Sequence, residues 1–141
     1  MEIPQKVLIY ATSAKGLLVF DEPDFPEVGL QIPGGTVEPN ETVFAAAARE
    51  FAEETGLTPD ASLSLLAATD YRFIRNNRSH THHRSYFHVE LPNGLPDVWH
   101  HHETMPDGGG SPILFRFFWL GLDEARSRLG FGMEQFLDKI S

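Results

Sequence analysis

The chain contains no cysteine, which excludes disulfides, iron–sulfur clusters and thiol catalysis and agrees with a reducing cytoplasm. It has no apolar run approaching the length of a membrane span, so no membrane partner is expected. Positive charge is scarce: 11 lysines and arginines face 20 aspartates and glutamates, a formal net charge of −9. That balance weighs against binding nucleic-acid backbones, which needs a basic face. An anionic substrate must then be drawn in by a metal or by local arginines, against the overall field. The opening Met1-Glu2-Ile3-Pro4 has no charged-then-apolar secretion pattern, and a cytoplasmic location is expected. No repeat or linker stands out. The 141 residues, 41% of them hydrophobic, read as one domain over 1–141, and homo-oligomerisation stays open.

The informative stretch is Gly35–Leu57, GTVEPNETVFAAAAREFAEETGL. Asn40 is a suitable N-cap, Glu41 brings negative charge to the first turn, and Gly56 suits the C-terminus. Between them, Ala45 to Ala48 give the strongest helix propensity available. At 100° per residue, Phe44, Ala47, Ala48 and Phe51 share an apolar side. Glu50, Glu53 and Glu54 crowd an adjacent side at i, i+3 and i+4, where each like-charge pair costs a few tenths of a kcal/mol. A divalent cation would turn that cost into a binding site. Oxygen-only donors favour a hard ion, Mg²⁺ first and Mn²⁺ second. Arg49 lies four residues before Glu53 and can orient it. Pro33-Gly34-Gly35 reads as a tight turn that lets the backbone approach a ligand.

The spacing of Gly35, Glu41, Arg49-Glu50-Phe51, Glu53-Glu54 and Gly56-Leu57 resembles the Nudix box, G-x5-E-x7-R-E-U-x-E-E-x-G-U. With each of seven fixed residues at about 5–7% frequency, a chance match is roughly one in a few million. The resemblance covers 23 residues and implies an α/β/α sandwich with a mixed sheet. It implies hydrolysis of a nucleoside diphosphate linked to another moiety, with Mg²⁺ on Glu50, Glu53 and Glu54 and on the main-chain carbonyl of Gly35. Glu53 is expected as the general base or as ligand of the attacking water. Glu50 and Glu54 are expected as the main metal anchors, with Arg49 positioning and Glu41 structural. Some family members recruit a further glutamate downstream, for which Glu103 is the first candidate and Glu90 the second. The family's diphosphate isomerase needs a cysteine that this chain lacks, and non-catalytic modules commonly lose the acidic positions that are intact here.

Outside the box, Lys6–Thr12, Gly16–Phe20, Leu30–Ile32, Leu63–Ile74, Arg84–Leu91 and Ile113–Leu120 read as strands, the last central and covered on both faces. Asp123–Leu129 and Met133–Ile140 read as short helices. Arg72, Arg75, Arg78 and Arg84 are four of the eight arginines and form a candidate anchor for substrate phosphates. They favour a nucleoside triphosphate or dinucleoside polyphosphate, with ADP-ribose or a nucleotide sugar, or a non-catalytic nucleotide-binding module, as alternatives. The polar set Arg84, Tyr86, His88 and Glu90 shares a strand face, facing either cleft or water. The seven histidines lack zinc-hydrolase spacing. Trp99 and Trp119 read as packing rather than base stacking. Met105–Ser111, with its three glycines, reads as a segment able to close over the cleft.

Overall fold

The computed structural model describes residues 3–58, 63–103 and 110–140. Its organising strand is β1 (Gln5–Ser13). Val7, Ile9 and Ala11 are buried on one of its faces and Leu8 and Tyr10 on the other, the pattern of a strand covered on both sides. β1 turns into β2 (Gly16–Asp21) at Ala14-Lys15. Gly16 sits at φ 117°, and a Cβ there would lie 2.3 Å from the Leu120 carbonyl oxygen.

The remaining elements follow as β3 (Gly34–Thr36), α1 (Val43–Thr55), β4 (Ser64–Arg75), β5 (Arg78–Glu90), β6 (Trp99–Glu103), β7 (Ile113–Leu120) and α2 (Leu122–Arg128). They form one mixed sheet ordered β4-β5-β1-β2-β7-β6, with β3 beside β1. Among the described strands only β1 and β5 run parallel; the other strand pairings are antiparallel. On one face α1 sets Ala46, Ala47 and Phe51 against Val7, Ile9, Phe87 and Phe117. Alanine lets the helix approach closely, and burying Phe51 contributes about 2–3 kcal/mol. On the other face Leu8, Tyr10, Val19 and Tyr86 pack under Ala125, Leu129, Met133 and Leu137. Sheet between two layers is the α/β/α sandwich expected. No helix of the described residues is long and apolar enough to cross a membrane.

β1 and β2 pair only at Thr12-Ser13 with Gly16-Leu17 and then diverge. The segment around residues 30–36 fills the gap. Gln31 exchanges two backbone hydrogen bonds with Phe20 (2.9 and 3.0 Å), the Pro33 carbonyl accepts from Ile9 N–H (2.8 Å), and β3 pairs with Lys6–Leu8. This divergence opens a cleft of about 290 Å³ bordered by Gly34, Gly35, Glu54, Glu103 and Met133.

Several sequence expectations are corrected. Leu30–Ile32 makes isolated bridges, and the strand begins at Gly34, where a turn was expected. Gly34 and Gly35 are needed for close approach, since neither has a positive φ. β5 starts at Arg78, after a turn whose Asn76 and Asn77 take φ 53° and 62°. β7 is not central: it lies between β2 and β6, and one side of it is half open, with Arg116 exposed and paired to Asp21. Its aromatics mimic a covered strand because three of them cluster there. Residues 133–140 form turns and a short 3-10 segment, Leu137–Lys139, not an α-helix. His100–His102 lie in β6. Residues 105–109 of the segment expected to close over the cleft lie outside the described residues.

Candidate functional site

Helix α1 is capped by Thr42, whose Oγ1 accepts the Ala45 N–H at 3.1 Å, rather than by Asn40. Asn40 instead takes a left-handed turn conformation, φ 65°. Gly56 ends the helix at φ 78°, as expected of a left-handed cap. The buried face differs from the expected stripe. Ala46, Ala47, Glu50, Phe51 and Glu54 face inward, while Phe44 is 48% exposed. Two glutamates therefore belong to the packed side of the helix.

Glu50 and Glu54 are 5% and 7% exposed. With Glu103 of β6 they place one carboxylate oxygen each within 4.8 Å of one another. Gly34 N–H donates to Glu54 Oε1 at 2.7 Å. A Cβ on Gly35 would stand 2.1 Å from Glu50 Cδ, so glycine alone admits the carboxylate onto that backbone. Three carboxylates in one partly buried corner repel each other unless a cation joins them. The hard-oxygen donor set fits Mg²⁺ or Mn²⁺, and Glu50, Glu54 and Glu103 could hold one. Glu90, the other downstream candidate, ends β5 opposite Thr12, away from this cluster.

Glu53 stands apart. Its side chain is 53% exposed and touches Arg49 Nη1 at 3.3 Å. Arg49 binds more tightly elsewhere: to Glu41 through Nε (2.8 Å) and Nη2 (2.9 Å), to Glu50 at 2.7 Å and to the Thr36 carbonyl at 3.0 Å. The guanidinium thus ties the loop before α1, β3 and the helix together. The Glu41 hydrogen bonds, followed by the one to Glu50, raise its pKa further above the ordinary arginine value. In return, Arg49 and then the Glu38 N–H hold the Glu41 carboxyl at about 2.

A depressed carboxyl pKa stabilises the fold above its unfolded value, near 4.5, and that contribution disappears as pH falls through about 2. Glu41→Gln should therefore lower the Tm by a few degrees at pH 7 and by nearly nothing at pH 2. Thermal unfolding across that range checks it, and an equal deficit at both ends would contradict the ion pair.

β6 locks the helix end. Trp99 Nε1 donates to the Thr55 carbonyl at 3.0 Å, and His101 Nε2–H donates to the Glu53 carbonyl at 2.9 Å. These are orphan carbonyls of the last turn. The next inward residue of the same strand is Glu103, so β6 carries both the clamp and the third carboxylate. Sequence reading missed His101, because a run of polar residues hides a period of two. Trp99 also stacks on Phe117 (5.3 Å), and Trp119 donates to Pro96, both packing roles.

The four arginines divide. Arg72, Arg75 and Arg78 are exposed on the β4–β5 hairpin. Because Gln5 pairs with His83, the hairpin runs five residues, or about 16 Å, past the start of β1. Arg84 is 6% exposed; it donates to Tyr86 Oη (3.1 Å) and to the Phe131 carbonyl (2.7 Å) and lies 3.6 Å over the Tyr71 ring. The face it shares with Tyr86 meets neither cleft nor water at that point, since the C-terminal segment covers it. None of the four borders the cleft beside the carboxylates.

The model of the NUDIX domain matches residues 3–140. No curated protein matches the chain. Among solved structures, a MutT NUDIX hydrolase from Burkholderia pseudomallei superposes with a TM-score of 0.72 at 20% identity, covering 100% of both chains. The dihydroneopterin triphosphate pyrophosphohydrolase of E. coli gives 0.71 at 19% identity over 96% of this chain and 92% of that one. The NUDIX domain of Shewanella oneidensis NrtR, complexed with ADP ribose, gives 0.69 at 12% identity over 99% and 87%.

Proposed function

This chain belongs to the Nudix family of hydrolases, and on that premise we propose that it cleaves a phosphoanhydride bond of a nucleoside diphosphate linked to another moiety, using magnesium. The observation that carries the reading is the convergence of Glu50, Glu54 and Glu103 at the cleft, with Glu50 against Gly35 and Glu54 on the Gly34 N–H. Those three carboxylates, with the Gly35 carbonyl, would hold the ion. When bound, it neutralises phosphate oxygens and lowers the pKa of a water. Glu53, exposed at the last turn of α1, takes the proton of the attacking water. The water oxygen bonds to one phosphorus, the bridging P–O bond breaks, and the displaced phosphate leaves as an anion. Arg49 holds Glu50 and the Thr36 backbone in place.

A nucleoside triphosphate or a dinucleoside polyphosphate is the first reading: Arg72, Arg75 and Arg78, exposed on the hairpin outside the cleft, would meet phosphates that extend beyond it. ADP-ribose is the second reading, as the ligand of the Shewanella domain. The intact carboxylates argue against a silent binding module. Phosphate release with Mg²⁺ should be measured over nucleoside triphosphates, diadenosine tetraphosphate, ADP-ribose and nucleotide sugars. Turnover of polyphosphates, abolished by EDTA, is expected; no turnover of any of them with Mg²⁺ or Mn²⁺ overturns the proposal.

Glu53→Gln should lower kcat about a hundredfold, with the Mg²⁺ requirement nearly unchanged. General bases contribute about 10²–10⁴-fold, and the lower end applies where bulk water reaches the group. A loss under tenfold would move the base elsewhere.

A further inference from the structure

The sheet has two outer strands, and they are unlike. β6 is five residues long and is tied to α1 through Trp99 and His101. β4 is twelve residues long, carries no proline, glycine or lysine, and among the described strands pairs only with β5. Long edges are normally blunted by prolines, lysines or bulges, because their outward N–H and C=O groups template another strand. The one irregularity of β4 lies at its start, between Leu65 and Ala67, and leaves Ala67–Arg75 in unbroken register.

That bulge aligns a row of side chains. Leu65, Ala68, Asp70, Arg72 and Ile74 pair with alternate residues of β5, from Phe87 to Ser79, so they share the face that carries α1. The helix covers Phe87, yet all five are exposed, Leu65 by 47% and Ile74 by 71%. Phe44 of α1, 48% exposed, meets the same Phe87 edge-on, 5.0 Å between centroids. His83 Nδ1 steadies the Asp70 carboxylate at 2.9 Å.

The row runs apolar, acidic, basic, apolar, and a second copy laid antiparallel complements it. A two-fold axis normal to the sheet through Tyr71, the midpoint of Ala67–Arg75, sets Asp70 opposite Arg72 of the second copy and Ala68 opposite its Ile74, each twice. Leu65 then lies diagonal to that Ile74, within side-chain reach. On the other face Thr69 meets Phe73, a favourable β-branched and aromatic pair. An axis through Asp70 or Arg72 instead sets like charges face to face, which is unfavourable. One through Thr69 or Phe73 runs the pairing into the bulge or into the Asn76-Asn77 turn.

We propose that β4 is the interface of a homodimer, in which two copies of this chain join these edges antiparallel about Tyr71 into one continuous sheet. The same patch serves both copies, as a closed two-fold dimer requires. Backbone hydrogen bonds between the Ala67–Arg75 stretches hold the pair, the Asp70–Arg72 contacts set its register, and Ile74 and Leu65 leave water. β4 lies at the opposite edge from β6, so each copy keeps its cleft open. The five donors of Arg72 let it meet Asp70 of the second copy and still reach a phosphate.

Sedimentation velocity on the full chain should give twice the 15.8 kDa chain mass at about 100 µM protein. Arg72→Glu and Asp70→Lys should each weaken association about tenfold or more, since like charges then face each other twice. Combining them swaps the pair and should restore association. Arg128→Glu on α2, an equal change of charge elsewhere, should leave it within about twofold. In this cysteine-free chain, Tyr71→Cys should cross-link to its own twin under copper-catalysed air oxidation. Ile74→Cys, whose twin would stand about 20 Å away along the strands, should not. If Tyr71→Cys fails to fold, the charge swap decides. A monomer at that concentration, a dimer indifferent to both single reversals, or equal cross-linking of the two cysteine variants would overturn the proposal. So would a monomer whose outward β4 amides already resist hydrogen exchange, which would show a segment of the same chain lying on that edge.

Discussion

Glu54→Gln is expected to lower kcat by about 10³–10⁴-fold at fixed Mg²⁺, while the fold survives. Glu54 is 7% exposed and accepts the Gly34 N–H at 2.7 Å. Glutamine preserves that acceptor and the volume but removes one of three converging charges. A bound divalent ion supplies several kcal/mol of charge stabilisation, and about 1.4 kcal/mol is a factor of ten. Without metal the substitution relieves repulsion inside the corner, so the metal-free Tm should hold or rise. Activity and metal affinity falling together while metal-free stability does not is the signature of a metal centre. Activity within tenfold of the parent would remove Glu54 from it.

Gly35→Ala should cost about 2–3 kcal/mol of stability and at least a hundredfold in activity. The new methyl would stand 2.1 Å from both Cδ and Oε2 of Glu50. Glu50 cannot simply swing aside, because Arg49 holds it at 2.7 Å and α1 packs it against the sheet. Either β3 pulls off Val7 or the carboxylate leaves the cluster, and overpacking of this kind costs about 1–3 kcal/mol. Gly29→Ala is the control. Its Cβ would meet nothing closer than 3.7 Å, so a change within about 0.5 kcal/mol is expected. Similar behaviour of the two variants in chemical denaturation and in assay would disprove the steric account.

Much of the frame was legible in the chain. The both-face apolar run of β1 and the turn before Gly16 declare a covered hairpin, and the alanine run with Gly56 behind it declares α1. What misled was local propensity overridden by neighbours. Pro33-Gly34-Gly35 looks like a turn, yet β1 offers it an open edge where β2 departs, and it pairs as a strand. Ile113–Leu120 looks central because of its aromatics, although one side is half open. The polar run that forms β6 shows no hydrophobic period, because its inward residues Trp99, His101 and Glu103 are satisfied by α1 and the carboxylate corner.

From residue spacing alone came the acidic box, its family and the expectation of a hard cation, since order along one helix sets which glutamates neighbour each other. Spacing placed all three box glutamates together, and rotation of the packed helix divided them. The tertiary structure turned Glu50 and Glu54 inward and left Glu53 in solvent. It also brought in Glu103 from the far edge of the sheet and turned Arg84 under the C-terminal segment. Contacts between residues 47 to 53 positions apart depend on how strands are ordered and how close a helix can lie on them, and a linear pattern carries no record of either.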